Sequence, residues 1–183
     1  MTVRAEAPRT YQAPIAAALA CAGCLALAAR PAVTWTAFGV TLAVGAAGLL
    51  APVFAKHEET TGALAWVIVT ALAIGAFETI RLSSAVPPMP WSSHAAITVV
   101  GAAVAEEVFF RRFLYAALLR RGVAVAVVVS ALAFALVHIP AYGMRVFPID
   151  LAAGLVLSWQ RWASGSWTSP AVAHIAANLM TIL

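Results

Sequence analysis

An all-α fold, a polytopic membrane bundle of about seven transmembrane helices, is what this sequence predicts, and three observations carry the prediction. Hydrophobic residues make up 63% of the chain and charged residues only 10%, and the mean hydropathy is +0.95. The apolar runs are too long and too continuous for the water-soluble core of a 183-residue domain. Short polar, proline-containing or glycine-containing breaks separate those runs at intervals that suit membrane spans. The net charge of +4 is what membrane flanks supply. No cluster of basic residues forms a nucleic-acid patch, so the expected surroundings are the lipid bilayer and nucleic acid is not an expected partner. Ten of the eleven cationic residues are Arg and Ala is the commonest apolar residue, a composition that suits a GC-rich bacterial genome and hence a bacterial plasma membrane.

Each element can be taken in turn. Residues 1–12, with Arg4, Glu6 and Arg9, read as a polar tail. Ala13 to Ala29 is a first span, ended by Arg30-Pro31, and Val33 to Ala55 a second. Lys56-His57-Glu58-Glu59 is a polar turn before a third span, Thr61 to Ile80, where Glu78 and Arg81 suggest an interfacial ion pair. Residues 82–94 hold three prolines and Trp91, and read as an interfacial loop. Ala95 to Leu119 is the fourth helix, followed by Arg120-Arg121-Gly122 as a C-terminal signal. Val123 to Tyr142 is the fifth, and Pro148 with Asp150 opens a sixth running to about Ala163. Ser169-Pro170 is expected to be the N-cap and N1 pair of a last helix. The chain divides into a tail with three helices, 1–94, and a core of helices, 95–183. The cationic flanks favour a cytoplasmic N-terminus, with Arg30, Arg81 and Arg145 on the other side.

Cys21-Ala22-Gly23-Cys24 has the spacing of a redox pair, but it lies inside the first apolar run with no strand pattern beside it. Small residues at a helix interface are the better reading. The same run could pass for a signal-peptide apolar region; the spans that follow favour an uncleaved helix.

The feature that calls for a chemical explanation is Ala105-Glu106-Glu107-Val108-Phe109-Phe110-Arg111-Arg112, four formal charges within an apolar helix. Each would cost roughly 2.5 to 3.5 kcal/mol on an insertion scale if left unpaired in the bilayer. Glu107 and Arg111 stand one helical turn apart and can pair. Glu106 is rotated by about 100° from Glu107 and has no cation on its own helix face, so it is the carboxylate expected to be free for chemistry. Downstream, Phe134 precedes His138 by one turn, and His174 precedes Asn178 by one turn. Singly these residues suit core packing or interhelical hydrogen bonds. Together they give a carboxylate, two imidazoles and an amide at membrane depth, the set that activates water.

Glu106-Glu107-x-x-x-Arg111, Phe134-x-x-x-His138 and His174-x-x-x-Asn178, in that order and over about residues 95–183, resemble the signature of the CPBP (CAAX protease and bacteriocin-processing, or Abi) family of intramembrane metalloproteases, which are similar to type II CAAX prenyl endopeptidases. The run Gly165-Ser166-Trp167 into Pro170-Ala171-Val172-Ala173-His174 fits as well. The resemblance implies a helical bundle enclosing an intramembrane catalytic cavity, and an endopeptidase acting at or within the bilayer. It implies Glu106 as general base, His138 as its partner on the attacking water, and His174 and Asn178 as oxyanion donors. Glu107, Arg111 and Phe134 would give structural support. Where the family has Gly after Arg111, this chain has Arg112.

A metal is a separate question. Glu106, His138 and His174 could supply one oxygen and two nitrogens to Zn²⁺ with a position left for water, although no His-Glu-x-x-His is present. A serpentine chain would also put His138 and His174 toward opposite faces unless the sixth helix is short or tilted or the cavity reaches the midplane. Two other functions remain open at this point. One is a non-catalytic bacteriocin self-immunity or peptide-binding protein of the same fold; the other is a small transport path lined by the charged residues. For a bacterial protease the substrate class is a small peptide or a membrane-protein terminus, whereas the eukaryotic precedent is a prenylated CAAX box.

Overall fold

A computed structural model describes residues 12–30, 35–51, 62–83 and 91–182. Among them the regular structure is helical throughout: α1 Gln12–Ala29, α2 Trp35–Leu50, α3 Ala63–Ser83, α4 Ser93–Leu119, α5 Val123–Tyr142, a short 3-10 turn Met144–Val146, α6 Phe147–Ser164 and α7 Thr168–Met180. These seven rods follow the seven apolar runs of the sequence. Two of them, Ser93–Leu119 and Val123–Tyr142, are long and apolar enough to cross a membrane, while α1, α2 and α3 carry shorter apolar stretches. Large apolar side chains such as Leu25, Leu50, Leu64 and Leu72 face outward, which suits a surrounding of lipid tails.

Local signals explain most boundaries. Ser92 caps α4, its hydroxyl accepting from the Ala95 N–H at 3.0 Å, two residues earlier than the sequence suggested. Gly122, at a φ of 108°, makes the corner between α4 and α5 that a Cβ would strain. Pro148 lies in the first turn of α6, where its missing N–H costs nothing. The expected cap of α7 is a correction. Trp167, not Ser169, is the N-cap, and the Ser169 hydroxyl instead meets Thr70 Oγ1 of α3 and accepts from Gln160 Nε2 of α6, both at 2.8 Å. With three helices competing for one hydroxyl, tertiary hydrogen bonds in an apolar setting outweigh the local cap. The Glu78–Arg81 pair involves a side chain outside the described residues.

Helix α4 is the axis of the bundle. It packs on α2 along one side and α7 along another, and its C-terminal end lies on α5. Helix α1 packs on α5 and α2, and α3 on α6 and α7. Close approach needs small residues: a Cβ on Gly45 of α2 would lie 2.7 Å from Ala105 Cα, and one on Gly154 of α6 would lie 3.0 Å from Ala131 Cα. Aromatics from the middle of α4, Phe109, Phe110 and Phe113, then form the core with Phe134 of α5 and Leu27 of α1. Gly23 packs directly against the Phe109 ring, and Cys21 and Cys24 are free thiols, in keeping with a small-residue packing face.

The fourth helix is not regular, contrary to the expectation of one α-helix. Val108–Leu114 is wound as a π-helix, with the Tyr115 N–H donating to the Phe110 carbonyl five residues back. Such widened turns concentrate at functional sites because they redirect side chains without breaking the rod. Within this one, Arg161 Nε of α6 donates to the Arg111 carbonyl at 3.2 Å. Arg112, whose role the sequence left open, reaches across to α2 and donates to the Gly48 carbonyl at 2.7 Å.

Candidate active site

Adjacent residues on a helix point about 100° apart, so Glu106 and Glu107 reach different neighbours from the same turn of α4. Glu107 faces α6 and α7. Its Oε1 accepts from Arg111 NH1 at 2.9 Å and from His174 Nδ1 at 2.9 Å. Arg111 is fully buried, donates from NH2 to the Gly154 carbonyl at 3.2 Å, and lies 4.6 Å over the Phe134 ring. The Glu107–Arg111 pair expected from spacing is therefore present, and it ties α4 to α5, α6 and α7 at one point.

Glu106 faces α1 and α5. Its Oε1 lies 3.7 Å from His138 Nε2 and accepts from Arg30 NH1 at 2.9 Å. Glu106 has no cation on its own helix face, as its spacing predicted, and the tertiary fold supplies one: its partner Arg30 comes from the end of α1, far away in sequence, so the carboxylate is not free. The same guanidinium nitrogen donates to Thr41 Oγ1 of α2 at 2.6 Å, and NH2 approaches His138 Nε2 at 3.3 Å. The Thr41 hydroxyl in turn donates to the Ala37 carbonyl.

Hydrogen-bond logic fixes the state of His138. Its Nδ1 sits 2.7 Å from the Phe134 carbonyl, which can only accept, so Nδ1 carries the proton. A guanidinium can only donate, so Nε2 facing Arg30 NH2 presents its lone pair. In that tautomer His138 presents Nε2 to Arg30 NH2, with Glu106 Oε1 3.7 Å away. His174 has the opposite office: Nδ1–H donates to Glu107, so its Nε2 can act as a donor only when the ring is an imidazolium.

Phe134 sits between the two imidazoles, its ring 4.7 Å from that of His138 and 5.7 Å from that of His174. This answers the expectation that the two histidines lie on opposite faces. Helix α6 runs for 18 residues, and each imidazole takes its own carboxylate, His138 beside Glu106 and His174 on Glu107, with both rings in contact with Phe134. Asn178 is placed apart: its Nδ2 donates to the Val99 carbonyl at 3.4 Å, about two turns before Glu107 on α4. Tyr142 stacks on the His138 ring at 5.9 Å, and Asp150, in the first turn of α6, lies within electrostatic reach of Glu106, His138, His174 and Arg30.

Access separates the two carboxylates. Glu107 is 0% exposed, whereas Glu106 at 5%, and His138 and His174 at 8% each, retain a sliver of surface where a small molecule can approach. The donors proposed for Zn²⁺ do not converge. Among the described residues no three His, Cys, Asp or Glu side chains form a group that could hold a metal ion. His174 Nδ1 is spent on Glu107, and the Arg30 guanidinium already lies between Glu106 and His138, so in this arrangement Glu106, His138 and His174 do not fit one ion.

Sequence reasoning missed Arg30, Thr41, Tyr142 and Asp150 as neighbours of the site. Arg30 beside Pro31 looks like a span-ending flank; the one hint was Glu106 itself, a buried carboxylate with no cation on its own helix, which demands a partner from elsewhere.

The family model described as Rce1-like, type II CAAX prenyl endopeptidase Rce1-like, matches residues 87–180, just over half of the chain. No curated protein and no solved structure matches it.

Proposed function

From the premise that the chain belongs to the Rce1-like family of type II CAAX prenyl endopeptidases, which are membrane-embedded proteases, we propose that it is an intramembrane endopeptidase in which Glu106 and His138 activate water. The observation that carries this reading is the approach of Glu106 Oε1 to His138 Nε2, at 3.7 Å, which brings a carboxylate and an imidazole within reach of one water. A water about 2.8 Å from both acceptors would subtend roughly 80°, close to the angle between its own two O–H bonds. One proton would then point to Glu106 and, where the water takes the place of the long Arg30 NH2 contact, the other to His138 Nε2.

The steps follow from those assignments. Water attacks the scissile carbonyl carbon as Glu106 takes its proton, giving a tetrahedral oxyanion. His174 as an imidazolium, held by Glu107 through Nδ1, can donate from Nε2 to that oxyanion; the resemblance gives Asn178 as a second donor, which would have to leave the Val99 carbonyl to reach it. Collapse breaks the C–N bond as Glu106 returns the proton to the leaving nitrogen, which gives a carboxylic acid and an amine; the acid's proton then passes to the amine, so a carboxylate and an ammonium leave. The substrate is a peptide or a membrane-protein segment that enters at bilayer depth. An N-terminus on the cytoplasmic side of a bacterial plasma membrane fits the cationic flanks.

The test is cleavage of a quenched fluorescent peptide library by detergent-purified protein, comparing wild type with Glu106→Gln and His138→Gln. Wild-type cleavage lost in Glu106→Gln, by about a thousandfold, is the expected result. Cleavage that persists in Glu106→Gln overturns the mechanism, and an inactive, folded wild type points to peptide binding or self-immunity.

A further inference from the structure

The family match begins at residue 87 and so assigns nothing to α1 or α2. Yet a cation from α1 and a hydroxyl from α2 complete the polar cluster. Arg30 is 8% exposed and contacts Thr41 Oγ1, Glu106 Oε1 and His138 Nε2 at 2.6, 2.9 and 3.3 Å. An arginine that served only to stitch α1 to α4 would need Glu106 alone. This one also faces the lone pair of His138, and a guanidinium, having donors only, makes acceptors of both groups it faces.

Its attachment argues for a fixed part. Thr41 is buried at 2% exposure and donates to the Ala37 carbonyl, so its oxygen lone pair is aimed at Arg30 NH1 by the backbone of α2. The planar fork then reaches Glu106 and His138 from one anchored position, a geometry that the point charge of a lysine cannot reproduce.

We infer that Arg30, anchored by Thr41, is a positioning residue of the active site that holds Glu106 beside His138, so that the carboxylate is aimed to take the proton of the attacking water. This inference rests on the protease reading above. Arg30 acts through those two side chains, and the peptide-binding surface does not depend on it. Loss of the guanidinium should lower kcat and leave KM nearly unchanged, and a small guanidinium ion diffusing into the vacated space should restore part of the rate.

The experiment uses the full chain in detergent, with the peptide substrate selected by the wild type. Arg30→Ala is expected to lower kcat about a hundredfold with KM within about twofold, a few tens of millimolar guanidinium chloride to raise its rate at least about tenfold, and Arg30→Lys to fall between. The same salt should leave wild type and Glu106→Gln unchanged. Thr41→Val, which keeps the cation and removes its anchor, should lose kcat severalfold. A wild-type kcat in Arg30→Ala overturns the inference. So does a loss that guanidinium does not restore while Thr41→Val is fully active, since a structural role alone explains that pattern. A large rise in KM would instead make Arg30 a substrate contact. An inactive wild type is a separate result, because it removes the protease reading itself.

Discussion

Glu107 and Arg111 illustrate how a pair four residues apart becomes more than a local ion pair. Both are fully buried, and the pair is shared with His174, the Gly154 carbonyl and the Phe134 ring. Removing one partner of such a pair leaves an uncompensated charge, so Arg111→Ala should destabilise the protein by about 3–5 kcal/mol, read as a lowered thermal midpoint in detergent. Arg111→Lys should recover only part of this, because one ammonium cannot serve Glu107 and Gly154 together and lie flat over Phe134. The same reasoning applies to Glu106. Because Arg30 is its partner, Glu106→Ala strands a buried guanidinium, whereas Glu106→Gln keeps an acceptor for it. The midpoint of Glu106→Gln should therefore lie nearer wild type than that of Glu106→Ala, while both lack cleavage.

At the scale of elements, the site depends on one close helix approach and one widened turn. Gly45 lets α2 lie against Ala105, the residue before Glu106, and Thr41 stands one turn from Gly45 on the same helix. Any side chain at 45 must push α2 away and carry Thr41 off Arg30. Gly45→Val is expected to cost about 1–3 kcal/mol in stability and to reduce kcat, whereas Gly39→Val, which meets open space, should do neither; thermal midpoints and initial rates on the two variants decide this. The π-helical turn Val108–Leu114 is the other device at this scale. It lies directly after the two glutamates, and it lets Arg111 turn to Glu107 while Arg112, the next residue, crosses to Gly48 of α2. That one turn of α4 grips α2, α6 and α7 together.

At the scale of the whole molecule, the charged groups in the middle of α4 lie inside an apolar core while many large leucines face outward, unlike the polar surface of a water-soluble domain. Alkaline carbonate washing should leave the chain in the membrane fraction, as expected for a bundle whose outer leucines meet lipid; release into the supernatant would contradict it. The dependence on metal is also a property of the assembly. With Arg30 between Glu106 and His138, and His174 on Glu107, treatment with 1,10-phenanthroline should leave the cleavage rate within about twofold of the untreated protein. A loss reversed by added Zn²⁺ would show that these side chains regroup around an ion.

Much of this was readable from the order of residues. Apolar run length fixed the seven helices, because a backbone in lipid must satisfy its own hydrogen bonds and has few other choices. Spacing of four predicted the Glu107–Arg111 pair and placed Phe134 one turn before His138, since both are consequences of helical pitch. The three motifs marked the candidate residues of α4, α5 and α7. Pitch alone could not supply the partners of Glu106, which come from α1 and α5, or show that each imidazole takes a separate carboxylate. It could not foresee the widened turn after Glu107 or the use of Ser169 between helices. Those outcomes depend on which helices touch and at what depth, and in an apolar medium each buried polar group takes the nearest complementary partner whatever its distance along the chain.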